Sequence, residues 1–243
     1  MNVDVLVISA HPDDAELACS GTVKKLTNQG FSVAFVDCSR GESGTRGNVD
    51  LRADEARKAQ EILGVLEREI LDMPDGLISA INENVLKLVT QIRRFQPRLM
   101  IIPPPRERHP DHEAVHNLSR TAAFSAGLQK VSTQYKGEEQ VPFRPHRLIC
   151  YQLHYDFPGG PDFYVDISDT YQEKMASVRA FASQFHAPDE YESNDPHTFI
   201  SSKSFLEELE ARARYFGGRI GTRYAEAYLL VEPLGLSSLS LLL

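Results

Sequence analysis

The chain has 243 residues, 42% of them hydrophobic and 25% charged, with a formal net charge of −8. Such a composition belongs to a globular protein with one substantial core, and it excludes disordered and fibrous classes. The acidic balance argues against nucleic acid as a partner, because nucleic-acid binding favours a basic stripe. The first predicted element is a buried parallel strand over Val3–Ile8, a β-branched and apolar run. Ala10-His11-Pro12-Asp13-Asp14-Ala15-Glu16 follows it and leads into a helical pattern from about Glu16 to Asn28. Phe31–Cys38 reads as a second strand, Leu51–Leu63 as a helix, Glu69–Leu71 as a short strand and Asn82–Phe95 as a helix. Leu99–Ile102 is again a short buried strand, broken by Pro103-Pro104-Pro105, with His109-Pro110-Asp111-His112 opening a helix from about His112 to Phe124.

The second half is less regular. Arg147–Leu153 and Phe163–Ile167 read as strands, Tyr171–Phe185 and Lys203–Tyr215 as helices, and Tyr224–Val231 as a last strand. The alternation in the first half predicts an α/β fold: a Rossmann-like, mainly parallel sheet flanked by helices, with an irregular C-terminal α+β part, in a single domain spanning 1–243. No stretch approaches the ~20 apolar residues of a membrane span. Asp4 interrupts the first apolar run, so no secretory leader is read and a cytoplasmic location is expected.

Ligands of open α/β sheets gather beyond the carboxyl ends of strands, so the His11 and His109 loops are expected to face one cleft. Each loop brings His and Asp. Catalytic zinc takes three ligands of imidazole and carboxylate type and leaves a position for water, and His11, Asp14 and one histidine of the second loop supply that set. Asp13 and Asp14 are adjacent and can point different ways, one toward the metal and one toward its water as a base. Taken alone, each piece has a simpler account: Asp13, Asp14 and Glu16 as helix caps, and His109 and His112 as a polar loop.

These motifs resemble those of the LmbE-like or PIG-L family of zinc-dependent deacetylases of N-acetylglucosaminyl compounds. The resemblance extends through Gly41-Glu42-Ser43-Gly44-Thr45-Arg46-Gly47, Arg52 and Glu55-Ala56. It reaches the C-terminal Arg214-Tyr215-Phe216-Gly217, Ile220-Gly221 and Tyr224-Ala225-Glu226-Ala227. The extra residue in His-Pro-Asp-Asp-Ala-Glu is similar to the branch that deacetylates N-acetylglucosaminyl-malate in bacillithiol synthesis. The resemblance implies that His11, Asp14 and His112 bind zinc, that Asp13 is the general base, and that His109, held by Asp111, stabilises the oxyanion or protonates the leaving amine. A histidine beside a carboxylate has a raised pKa and can stay cationic, in keeping with that role. Homo-oligomers, often hexamers, are also implied.

The loop from Arg40 to Asp50 matches neither a P-loop nor a dinucleotide fingerprint. It reads as a sugar-binding loop, with Glu42 and Ser43 among its polar contacts. Arg52 is assigned to a substrate carboxylate or paired sugar oxygens, since its planar fork suits both; Arg46 and Arg106 read as surface charges. His116, His154, His186 and His197 are not taken as ligands, and the segment 187–196 resembles a mobile lid. Cys19, Cys38 and Cys150 are widely spaced and read as reduced thiols, Cys38 as a core residue. The Leu/Ser-rich tail from Leu234 to Leu243 is too short to span a bilayer.

The expected reaction is hydrolysis of an acetamide to amine and acetate on a small N-acetylglucosaminyl substrate. Ferrous iron would fit the ligand set as well as zinc. Other readings are a deacetylase of another N-acetylglucosamine derivative such as diacetylchitobiose, a non-catalytic sugar- or nucleotide-binding module, and a two-metal phosphoesterase, which needs more carboxylates.

Overall fold

Val5–Ser9 (β1) is completely buried and lies inside a seven-stranded sheet, third from one edge. A computed structural model describes residues 1–186, 194–236 and 238. After β1 the chain runs through Asp14–Asn28 (α1), Val33–Asp37 (β2), Val49–Leu63 (α2), Glu67–Ile70 (β3), Asn82–Phe95 (α3), Leu99–Ile102 (β4) and Pro110–Ala126 (α4). Gln134–Tyr135 (β5) and Glu138–Glu139 (β6) form a small separate hairpin, followed by Arg147–Tyr151 (β7), Phe163–Asp166 (β8), Tyr171–Arg179 (α5), Lys203–Arg219 (α6) and Ala225–Leu230 (β9). The sheet order is β3-β2-β1-β4-β7-β9-β8, parallel from β3 to β7, with β9 antiparallel to both its neighbours. No helix among the described residues is long and apolar enough to cross a membrane.

The two-residue period of the strands sorts their side chains into two cores. Leu6, Ile8, Val36, Met100 and Ile102 pack with Leu88, Ile92 and Leu118 of α3 and α4. Val7, Phe35, Ile101 and Tyr151 pack on the other face with Ala15, Cys19, Val23 and Leu63 of α1 and α2. A third cluster, including Phe181, Phe185, Phe205 and Leu209, joins α5 and α6 to that second layer, and the Tyr171 and Tyr224 rings stack 3.7 Å apart within it.

Strand order reverses at β1, from which β2 and β3 lie to one side and β4 and β7 to the other. The loops leaving β1 and β4 therefore diverge to opposite layers and open a crevice between them, the usual ligand position in such sheets. Their registers agree, since Val5 lies opposite both Val33 and Leu99.

One buried charge network ties α1 to this frame. Arg68 of β3 bonds Asp37 at 2.6 Å and Glu16 at 2.7 Å, with all three side chains at most 3% exposed. Glu16 is thus neither a cap nor a metal ligand. Arg68→Met would leave two buried carboxylates without their cation, and we expect a loss of about 3–5 kcal/mol in chemical unfolding; a loss under about 1 kcal/mol would show that the network is not structural.

Two elements differ from expectation. α5 ends at Arg179 rather than Phe185 because Ser183 N and Oγ turn to bond the buried Glu55 carboxylate, both at 2.7 Å. The β5–β6 hairpin was not anticipated; its turn, Lys136-Gly137, has φ of 52° and 84°, the pair of positive angles a tight two-residue hairpin demands. Segment 187–193 of the expected lid, and residues 237 and 239–243 of the tail, lie outside the described residues.

Candidate active site

Ala10 to Asp13 carry the chain from the end of β1 into α1. Asp14, the first helical residue, folds its carboxylate back so that Oδ2 accepts from the amides of Ala10 (3.1 Å) and His11 (2.9 Å). That leaves Oδ1 to meet His112 Nε2 at 3.2 Å, while His11 Nδ1 lies 3.6 Å from Oδ2. His112 comes from the first turn of α4, which starts with Pro110 and is capped by His109. Ligand atoms of His11, Asp14 and His112 lie within 4.8 Å of one another, and all three residues are buried.

This set fits a divalent ion. It is an N, O, N donor group converging from two strand ends, and catalytic zinc uses such groups. The far side of His11 is also braced, for Nε2 lies 2.9 Å from Asp75 and 3.3 Å from Asp111. Carboxylates on the outer nitrogen of an imidazole fix its tautomer and raise its basicity toward a metal.

Asp13 turns the other way. Its backbone has φ 129°, a conformation that L side chains rarely adopt, and although it occupies the N-cap position of α1 its side chain makes no cap hydrogen bond. The carboxylate instead meets Arg52 Nη2 at 2.6 Å. Burial pushes the Asp13 carboxyl up to about 7, against the pull of Arg52 and with the push of Asp14. A carboxylate held near neutrality is suited to take and return a proton.

Arg52 lines the pocket, but its guanidinium is engaged: beyond Asp13 it donates from Nε to Pro12 O at 3.0 Å and from Nη1 to Gly41 O at 3.4 Å. Gly41 has φ 67°, and a Cβ there would overlap this guanidinium. Gly41→Ala is expected to displace Arg52 and cut turnover by at least about tenfold, the effect of losing one hydrogen bond to a charged group, with metal content unchanged. Unaltered turnover would remove Arg52 from the account of the base.

Glu42 and Ser43 hold the loop that bears Asp75. Glu42 Oε1 accepts from Asp75 N at 2.9 Å, and Asp75 Oδ2 accepts from Ser43 N at 2.9 Å. Of the two only Ser43 lines the pocket. Asp75 itself was not singled out in the sequence. Burial raises its carboxyl, but hydrogen bonds from His11 and the Ser43 amide outweigh this and bring it down to about 2. Asp75→Ala should weaken metal binding about 10–100-fold, the usual cost of losing such a brace, measured by competition with a chromophoric chelator; unchanged affinity would leave Asp75 a loop residue only.

The expectation that Asp111 holds His109 is corrected in its detail. The Asp111 carboxylate accepts from the amides of Gly76 (2.7 Å) and Ile78 (3.2 Å) and faces His11, so what reaches His109 Nδ1 is the Asp111 backbone amide, at 3.2 Å. Burial, and then the neighbouring His11 and His112, lower the His109 pKa, the opposite direction to the one expected. With Nδ1 accepting, neutral His109 carries its proton on Nε2 as a donor. The imidazoles of His11, His109 and His112 form a triangle with centroids 4.7–5.4 Å apart.

His116 is buried and bonds Pro103 O at 3.0 Å, bracing the loop after β4. Arg46 is tied by Nε to Ser183 O at 2.8 Å, and Arg106 is exposed. All three cysteines are free and buried. The site opens into a cavity of about 360 Å³ whose far wall includes Leu153, His154, Phe199 and Phe205, within the ~300–1,000 Å³ range of small-molecule pockets.

The model of a family described as "PIG-L: GlcNAc-PI de-N-acetylase" matches residues 6–123, which carry both metal-ligand loops. The chain is 32% identical to diacetylchitobiose deacetylase of Thermococcus kodakarensis, over 91% of this chain and 80% of that protein. It is 26% identical to a probable N-acetyl-alpha-D-glucosaminyl L-malate deacetylase of Bacillus cereus, over 84% of this chain and 91% of that one. Among solved structures, the conserved protein TT1542 of Thermus thermophilus superposes with a TM-score of 0.84 at 34% identity, covering 96% of this chain and 97% of that one.

Proposed function

The chain belongs to the PIG-L family of de-N-acetylases, and from that membership we propose that it hydrolyses the acetamide of an N-acetylglucosaminyl conjugate with zinc held by His11, Asp14 and His112. The observation that carries this reading is Asp13. A sugar-binding module has no need of a second buried carboxylate that lines the same pocket as the metal ligands, is paired with Arg52, and has its carboxyl pushed up by burial to about 7. Zinc is favoured on ligand type, and ferrous iron suits the same donors.

When bound, a divalent ion supplies Lewis acidity and makes water more acidic near neutral pH. Asp13 is the group to receive the proton that water gives up as its oxygen joins the acyl carbon, and Arg52 fixes the direction of that carboxylate. His109 offers its Nε2 proton to the oxygen on which negative charge gathers, a stabilisation that needs no cationic imidazole. When the carbon–nitrogen bond breaks, the proton taken by Asp13 is the one the departing amine requires, so acetate and free amine leave with the residues restored.

The aglycone we favour is malate. Arg108 supports it: exposed at the rim, its guanidinium lies 5.3 Å from the Phe199 ring centroid and has no carboxylate partner among the described residues. Arg52, with its arms engaged, is less suited to that task. A disaccharide such as diacetylchitobiose is the second reading, favoured by the half-exposed Phe199 ring, since sugar faces pack on aromatic rings. Acetate release from the two compounds, with metal content measured on the same preparation, tests both. Preference for the malate conjugate at one zinc per chain is expected; release from the disaccharide alone would keep the chemistry and change the aglycone, and release from neither by metal-loaded protein would overturn the deacetylase reading for this class.

A further inference from the structure

Three residues after β7, Leu153-His154-Tyr155, are held by two charged groups that the proposed chemistry does not use. Glu107, only 5% exposed, receives the amides of His154 (2.7 Å) and Tyr155 (3.1 Å) on Oε2 and that of Arg108 (2.6 Å) on Oε1. From the other side Arg212 of α6 donates Nη1 to Leu153 O. Burial pulls Arg212 below the usual arginine range, and Glu107 is the carboxylate that offsets this most. Setting two enclosed charges around three backbone units is costly unless position matters there. Glu107 also stands two residues before His109, so one carboxylate fastens this segment to the second metal loop.

The clamp presents the His154 imidazole to the cavity that holds His11, His109 and Asp13. Its ring is set edge-on to Phe199, with centroids 5.3 Å apart and an interplanar angle of 84°. Most polar groups around it are engaged within the protein: Asp13 with Arg52, Asp75 with His11, and Glu107 with backbone amides. Among the described residues, none accepts from or donates to a ring nitrogen of His154. A polar ring, fixed in place and unpartnered among the described residues, faces the space a substrate would fill.

We infer that His154 is a substrate-binding residue, donating or accepting a hydrogen bond with a hydroxyl of the acetamido sugar, and that Glu107 and Arg212 are positioning residues that hold it there. This rests on the acetamido-sugar reading of the site. Because the partner is the sugar, the contribution of His154 is the same whichever aglycone follows.

Binding without turnover tests it, with N,N′-diacetylchitobiose titrated calorimetrically into zinc-loaded Asp13→Asn protein. Adding His154→Ala should raise the dissociation constant about tenfold, the worth of one good hydrogen bond, with zinc content and melting temperature unchanged. Glu107→Gln should raise it to a similar extent. Combined with His154→Ala it should add less than about twofold, because residues acting through one another are not additive. Equal dissociation constants with and without His154 would overturn the proposal for that residue, and full additivity would overturn the positioning role of Glu107. Failure of the Asp13→Asn parent to bind both the disaccharide and N-acetylglucosaminyl-malate, titrated in the same way, would overturn the acetamido-sugar reading itself, and this inference with it.

Discussion

Asp13→Asn is expected to keep its metal and to lose about 10²–10⁴-fold in kcat, the span that general acid–base groups contribute. Asparagine has the shape of aspartate and can still accept the Arg52 hydrogen bond now made at 2.6 Å, so the loop and the neighbouring Asp14 should stay in place. What it cannot do is hold a proton during the reaction. Metal content by atomic emission, with kcat and KM at saturating zinc, separates the two: full metal with collapsed kcat and nearly constant KM is the outcome for a base. Near-normal turnover in metal-replete Asp13→Asn protein would remove Asp13 from the mechanism. Loss of metal would instead make it a ligand and transfer the base to another group.

His112→Ala should do the reverse. It removes one of three converging donors, and the affinity lost should exceed the roughly 100-fold upper cost of removing a supporting residue alone. The effect can be read without any substrate. A ligand present at about 100 times its Kd stabilises the folded state by about 2.7 kcal/mol, so zinc should raise the melting temperature of the native protein and leave that of the variant unmoved. A variant that kept the zinc-dependent rise would show that the donors lie elsewhere, in the neighbouring group of His11, Asp75, His109 and Asp111.

The convergence of His11, Asp14 and His112 was legible in the sequence because each stands in the loop or first helical turn that follows a strand, and the order of strands brings those strand ends together. β1 and β4 were legible for a related reason: both faces are covered, so Val5–Ile8 and Leu99–Ile102 are apolar without interruption. Asp75 was hidden. It sits in Met73-Pro74-Asp75-Gly76, which reads as a turn, and its contact with His11 depends on β3 and β2 lying beside β1. The pairing of Arg52 with Asp13 was hidden in the same way. An arginine near a cleft is as compatible with a substrate as with a neighbour 39 residues away in the chain, and only the geometry at Gly41 and Pro12 decides. The end of α5 was misplaced because Ala180-Phe181-Ala182 continues the apolar period, while the acceptor that draws Ser183 out of the helix is Glu55, 128 residues earlier.

The φ of 129° at Asp13 bears on anyone who would engineer this protein. Searches for heat tolerance single out positions where a side chain occupies a glycine-like conformation, because relaxing such strain returns about 1–3 kcal/mol. Residue 13 would stand near the top of that ranking, and glycine there would discard the carboxylate the chemistry depends on. A directed-evolution campaign screened on melting temperature alone would drift toward a sturdier protein with an inert cleft, so residue 13 belongs outside the library from the first round.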